Sequence, residues 1–214
     1  MPTHPSPRAP LLAKPPHAAP GLRIGLMGGS FNPPHDGHLH VAREVLRRVR
    51  LDAVWWIVSP GNPLKAGHAT PPLAARIAQA RALAASEPRI AVTGFEAELG
   101  SVFTVDTLAF LRRRYPLTRF VWVMGADNLA GFHRWRRWRG IAPIFPIAVV
   151  DRPGWHLAAL SSPAASALAR NRIPEANAAT LPTSKPPAWA FLTGRLSPLS
   201  STELRREIQE MAGP

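Results

Sequence analysis

Cysteine is absent from the 214 residues. That excludes a disulfide framework, a thiolate metal site and a cysteine nucleophile. It also fits a reducing interior, so a cytoplasmic location is expected. No apolar run approaches the roughly 20 residues of a bilayer-spanning helix, and no membrane segment is expected. The first twenty residues are rich in proline and hold no uninterrupted apolar stretch. They read as a disordered tail over residues 1–20, not as a secretory leader. Acidic residues are few, 13 Asp+Glu against 26 Lys+Arg, for a formal net charge of +13. That excess admits two readings: an anionic partner, or a compositional bias toward arginine, alanine and proline. The arginines are spread along the chain rather than gathered in a block, which argues against a dedicated nucleic-acid arm.

Hydrophobic residues make up 46% of the chain, enough for one real core, so a single domain over residues 21–214 is expected. No internal repeat is evident. Strands are read at Arg23–Met27, Ala53–Val58, Arg89–Val92, Phe120–Met124, Ile147–Val150 and Trp189–Leu192. Helices are read at Gly37–Arg50, where Leu39, Ala42, Val45, Leu46 and Val49 recur at helical spacing, and at Pro72–Ala85. A third begins at Thr104, taken as its cap, and ends at Arg114; a short helical stretch covers Asp127 to about Ile141. A final helix opens at Ser200, where Ser200 and Glu203 have capping-box spacing. Residues 155–188 cannot be assigned. Strands alternating with helices imply βαβ units, a doubly wound parallel sheet and a ligand beyond the carboxyl ends of the strands at the switch point.

Three clusters fall where such a ligand would lie. After the first strand comes Gly28-Gly29-Ser30-Phe31-Asn32-Pro33-Pro34-His35-Asp36-Gly37-His38. The glycines let a ligand approach the backbone closely, Ser30 adds a hydroxyl, and His38 falls in the first turn of the next helix, where amides and dipole favour phosphate. Two histidines three apart in a tight turn suit one anion. A zinc pair is the competing reading, but only Asp36 stands near as a further ligand. After the fourth strand, Gly125 precedes Asp127, placed for a ribose hydroxyl or an adenine amine. Trp135 and Trp138 follow one turn apart; a bare pair like this reads first as core, while Trp135 also suits stacking on a flat ring. Near the end, Ser200, Ser201, Thr202 and Arg205 read either as an ordinary capped helix or as an anion site.

The first cluster is neither a Walker loop nor a G-x-G-x-x-G fingerprint. It resembles the H-x-G-H motif of the nucleotidylyltransferase superfamily, whose histidines bind ATP phosphates and stabilise the transferring α-phosphoryl group. The Gly125-Ala126-Asp127-Asn128-Leu129 and Phe132-His133-Arg134-Trp135 stretches narrow the likeness to the bacterial nicotinate-nucleotide adenylyltransferase family, and Ser200–Arg205 resembles that family's I-S-S/A-T-x-I-R motif, with Leu199 and Leu204 in place of isoleucines. The likeness runs from about Ile24 to Ile208 and implies a single Rossmann-like α/β domain. It implies catalytic roles for His35, His38, Lys65 and Arg205, with Lys65 in the loop after the second strand; a solvated surface lysine is the plainer reading there. It implies ATP contacts at Gly28, Gly29, Ser30, Phe31, Gly125, Asp127, Arg152, Ser200, Ser201 and Thr202. Nicotinate mononucleotide would meet Phe103, Thr104 and Trp135. Phe103 stands where the family often has tyrosine and so lacks one hydroxyl. Mg²⁺ is expected to arrive with ATP, with no protein metal site. The substrates implied are ATP and nicotinate mononucleotide, without nucleic acid or membrane; the oligomeric state is left open. Nicotinamide mononucleotide or phosphopantetheine as acceptor, a silent nucleotide-binding relative and a basic nucleic-acid-binding protein remain the alternatives.

Overall fold

A computed structural model describes residues 14–61 and 70–194. Six strands form one sheet: β1 (Arg23–Gly29), β2 (Ala53–Val58), β3 (Ile90–Thr93), β4 (Arg119–Gly125), β5 (Ile147–Val150) and β6 (Trp189–Leu192). Their order is β3-β2-β1-β4-β5-β6 and every neighbouring pair is parallel. The chain runs outward from β1 to β3, then returns to β4 on the other side. The switch point therefore lies between the carboxyl ends of β1 and β4, the place where such sheets bind ligands.

The strand sequences are apolar on both sides because both faces are covered. Alternate residues divide cleanly in β2: Trp55 and Ile57 enter one core with Leu26, Phe120 and Trp122, whereas Val54, Trp56 and Val58 enter the other with Val121 and Val123. The second face is closed by α1 (Asp36–Arg48) and α2 (Leu73–Ala84). The first is closed by α3 (Thr104–Arg114), α4 (Ala126–Gly131), α5 (His156–Leu160) and α6 (Pro163–Ala167). The apolar stripe read in α1 is the buried one, including Leu39, Ala42, Val45 and Leu46.

Five expectations need correcting. β1 runs two residues further than read and takes in Gly28 and Gly29, since both pair with β2 opposite Ile57 and Val58. β3 sits one residue later than read. Thr104 does not cap α3; it is the first helical residue, and Phe103 occupies the cap without a side-chain bond. The stretch from 127 to 141 is no single helix: after α4 it tightens into a turn at Phe132–Arg134, Trp135 is extended (φ −74°, ψ 143°), and Arg137 takes a left-handed φ of 53°. The proline-rich start meets the domain before residue 20: Ala18 packs against the core, and the Ala19 carbonyl accepts from Leu22 N–H and Thr118 Oγ1. The unassigned 155–188 segment holds α5, α6 and short 3₁₀ turns. The helix expected from Ser200 lies outside the described residues, as do residues 1–13 of the expected tail.

Candidate active site

A cleft of about 390 Å³ opens at the switch point, within the size range of small-molecule sites. Its lining brings together ten of the residues singled out in the sequence: Gly28, Gly29, Ser30 and His38 from the β1–α1 segment, Phe103 and Thr104 from the start of α3, and Gly125, Asp127, Trp135 and Arg152 from the β4 and β5 ends. His35 and Phe31 stand behind this wall, 5% and 1% exposed. Any ligand contact of Phe31 therefore falls to its backbone. Lys65, Ser200, Ser201, Thr202 and Arg205 lie outside the described residues.

The β1–α1 turn is built from its own histidines. His35 is the N-cap of α1, and its Nδ1 accepts from Gly37 N–H at 3.1 Å. His38, at the third helical position, returns the bond: its Nδ1 accepts from His35 N–H at 3.2 Å. This is a capping box with imidazoles in place of hydroxyl and carboxylate. Because each Nδ1 supplies a lone pair to an amide, the proton of each neutral ring resides on Nε2. The cap thus sets the tautomer, so that His38, a residue of the cleft lining, carries its ring proton on Nε2. The rings are 3.9 Å apart, and the Phe31 ring backs His38 at 4.7 Å while stacking on Trp56 at 5.1 Å. Aromatic anchoring holds Phe31 at a left-handed φ of 46°, a conformation that needs such support in a non-glycine residue.

Across the cleft, Arg152 Nη1 lies 3.4 Å from Asp127 Oδ1. Gly125 is required beside this pair: a Cβ there would sit 2.4 Å from Asp127 Oδ1 and 2.9 Å from Arg152 Cδ. Asp151 anchors the same turn, accepting from Arg152 N–H at 2.8 Å and pairing with His156 Nδ1 at 2.7 Å. Trp135 is half-buried, edge-on to Phe132 at 5.3 Å and Trp122 at 6.4 Å, so one flank of its ring rests on the core and the residue still reaches the cleft. Trp138 is a core residue, 9% exposed and packed edge-on to Phe132.

Four charged residues at or behind the cleft escaped the sequence reading. Arg134 and Arg136 line the cleft, and the Arg136 guanidinium lies 4.5 Å over the Phe103 ring. Arg76 is buried behind the β1 and β2 ends; its spacing with Ala80 and Ala84 puts it on the apolar stripe of α2, which is a legible signal. Glu96 also lines the cleft, 7% exposed, accepting from Thr107 Oγ1 at 2.5 Å. Nothing in the local sequence separates it from the nearby exposed Glu98.

Burial pushes the Glu96 carboxyl above its ordinary 4.5, and the Thr107 hydroxyl draws it partly back. The folded protein therefore holds this proton more tightly than the unfolded chain. Its contribution to stability is full below the unfolded value and declines as pH rises through the folded one. Glu96→Gln keeps the acceptor and removes the ionisation. The melting temperature of the variant should gain on wild type as pH rises from the ordinary carboxylate value of 4.5 into the neutral range. A difference that stays constant over that interval contradicts this assignment.

Comparison with known proteins follows the same lines. The cytidylyltransferase-like family matches residues 26–207. A probable nicotinate-nucleotide adenylyltransferase of Methylorubrum extorquens is 62% identical over 184 residues, 86% of this chain and 99% of the relative. A protein of that name from Cereibacter sphaeroides is 58% identical over 182 residues, covering 85% and 95%. That of Rhizobium meliloti is 55% identical over 184 residues, covering 86% and 97%. The structure of Plasmodium falciparum nicotinic acid mononucleotide adenylyltransferase complexed with NaAD superposes with a TM-score of 0.62 at 14% identity, covering 86% of this chain and 83% of that one; this likeness is one of fold. The chain belongs to the cytidylyltransferase-like family and, within it, to the nicotinate-nucleotide adenylyltransferases.

Proposed function

We infer that the chain transfers AMP from ATP to nicotinate mononucleotide, releasing pyrophosphate and forming nicotinate adenine dinucleotide, the deamido precursor of NAD. The observation that carries this is one cleft at the β1/β4 switch point with the glycines, Ser30 and His38 of the β1–α1 turn on one side and Phe103 and Trp135 on the other. The mononucleotide's 5′-phosphate oxygen attacks the α-phosphorus; a P–O bond forms there, and the bond to the β-phosphate bridging oxygen breaks with its electron pair leaving on pyrophosphate. The nucleophile is already ionised, because a phosphate's second pKa is about 6. No general base is needed. The protein must align two anions and neutralise the charge that gathers at the pentavalent centre.

We assign phosphate binding to the backbone of Gly28, Gly29, Ser30 and Phe31 with the His38 Nε2–H, and the setting of His38 to His35. Lys65, Ser200, Ser201, Thr202 and Arg205 complete the phosphate side, on the strength of their motifs. The adenosine side falls to Gly125, Asp127 and Arg152, and the pyridine and its carboxylate to Trp135, Phe103 and Thr104. Among the described residues no group of three or more His, Cys, Asp or Glu stands together to hold a metal. We assign Mg²⁺ to the ATP substrate, carried on its phosphate oxygens. No described helix is long and apolar enough to cross a membrane. We place the enzyme in the cytoplasm, where the cysteine-free composition fits, and assign it no nucleic-acid partner.

Parallel assays of pyrophosphate release with nicotinate mononucleotide, nicotinamide mononucleotide and phosphopantetheine test this reading. Turnover highest with the nicotinate acceptor supports it; DNA binding with a steep salt dependence and no ATP turnover overturns it. Trp135→Ala should raise KM for the mononucleotide about tenfold, the scale of one lost stacking contact, and leave KM for ATP within about twofold. Equal changes in both constants remove the stacking role.

A further inference from the structure

Arg76 lies in the first turn of α2, beside the core positions Ile77, Ala80 and Ala84, and is 1% exposed. A buried cation persists when it is paired or fully hydrogen bonded. Among the described residues Arg76 has no carboxylate partner, and burial alone draws its pKa down from the ordinary arginine value; the guanidinium stays charged all the same. Its donors go to four main-chain carbonyls. Nε reaches Pro71 at 3.0 Å, Nη1 reaches Ser30 at 2.7 Å and Ser59 at 2.8 Å, and Nη2 reaches Pro60 at 3.1 Å. Three of these carbonyls follow directly on β1 and β2, and Ser30 and Ser59 line the cleft.

The direction of these bonds matters for the amides on the far side of each peptide. A trans peptide sets its N–H opposite its C=O. With the Ser30 carbonyl turned into the guanidinium, Phe31 N–H is turned away from it, and the Pro60 carbonyl does the same for Gly61 N–H. Gly61 is a lining residue, and Phe31 follows one. Phe31 also holds the left-handed φ of 46°, and a left-handed residue within a turn is the geometry in which successive amides cup an anion. One side chain therefore sets the outward amides of two strand ends at once.

We propose that Arg76 is a positioning residue for adenylyl transfer: from behind the cleft it sets the backbone at the ends of β1 and β2 against the triphosphate, and its charge, cancelled by no carboxylate among the described residues, favours gathering that anion there. This rests on the AMP-transfer reading of the cleft. The effect belongs to ATP rather than to the acceptor, because the carbonyls it holds flank the phosphate turn, whereas Trp135, Phe103 and Thr104 come from other segments.

Steady-state kinetics of Arg76→Met and Arg76→Lys, each with its melting temperature, test the proposal. Methionine removes donors and charge; lysine keeps the charge and loses the planar fork. Arg76→Met should raise KM for ATP about tenfold while KM for nicotinate mononucleotide stays within about twofold, with Arg76→Lys between it and wild type. Should Arg76→Met fail to fold, the lysine variant decides, since a KM ratio of ATP to mononucleotide raised about threefold supports the role. A lower melting temperature with that ratio unchanged, or equal rises in both constants, overturns it and leaves Arg76 a structural brace. Wild-type protein that turns over no nicotinate mononucleotide defeats the reading of the cleft instead, and the same assay reports it.

Discussion

Replacing His38 by alanine lowers kcat on the order of a hundredfold or more, while the protein stays folded. His38 lines the cleft and carries its ring proton on Nε2, because its Nδ1 is occupied by the His35 amide. A donor held this way reorganises little when charge builds on the transferring phosphoryl group, and removing one such donor costs about 3 kcal/mol of barrier. The same change removes half of the α1 cap. That costs about 1 kcal/mol, which lowers the melting temperature of a chain this size by about 2–4 °C and is small against a typical stability of about 5–15 kcal/mol. Rate and stability thus separate. Steady-state kinetics with circular dichroism melting checks both, and a variant with near wild-type kcat removes His38 from the chemistry.

Gly28→Ala produces the second large effect, by a steric route. Gly28 pairs with Ile57 inside the sheet, and a Cβ there would lie 2.7 Å from Trp122 Cη2. Trp122 is 3% exposed, edge-on to Trp135 and part of the cleft lining, so a displaced ring disturbs the contact with Trp135 or moves into the cleft. The alternative is a shift of the β1 end, which carries Gly29 and Ser30 with it. Either response displaces one wall of the cleft. Overpacking of this kind costs about 1–3 kcal/mol, and kcat/KM should fall about tenfold or more with it, since a misplacement near 1 Å in a positioned site is that costly. Wild-type melting temperature and kcat/KM together would show that the cleft tolerates the added methyl.

The order of strands and helices was legible because buried parallel strands leave short apolar runs such as Ala-Val-Trp-Trp-Ile-Val at Ala53–Val58, whose bounds coincide with those observed. Ile147–Val150 and Trp189–Leu192 were legible for the same reason. What periodicity could not supply was the ends of elements, where single bonds decide. β1 extends through two glycines because pairing with β2 continues past the apolar run. The stretch after α4 breaks at Trp135 and Arg137, which nothing in a row of arginines and tryptophans announces. Residues 155–188 hold two five-residue helices, too short for a helical period to register, and 3₁₀ segments, among them Glu175–Thr183 with Pro182 inside, that lack the 3.6-residue period.

The site divides similarly. Histidines, glycines and Asp127 were readable because their residue types and places after strands carry chemistry. Glu96 was missed because its importance comes from burial next to the cleft, a property of tertiary packing, whereas the burial of Arg76 is written in its place on the apolar stripe of α2. His35 shows the other side of this: expected as a catalytic residue, it caps α1 from behind the wall and donates its amide to the His38 Nδ1.

A crystal structure with nicotinate mononucleotide and a non-hydrolysable ATP analogue bound together tests the shared cleft most directly. The expected result is a triphosphate on the Gly29–Ser30 backbone, touched by His38 and by Thr202, with the pyridine ring on Trp135 and the 5′-phosphate in line with the α-phosphorus. An analogue bound away from the β1/β4 switch point, or His38 and Thr202 on opposite faces of the molecule, contradicts it.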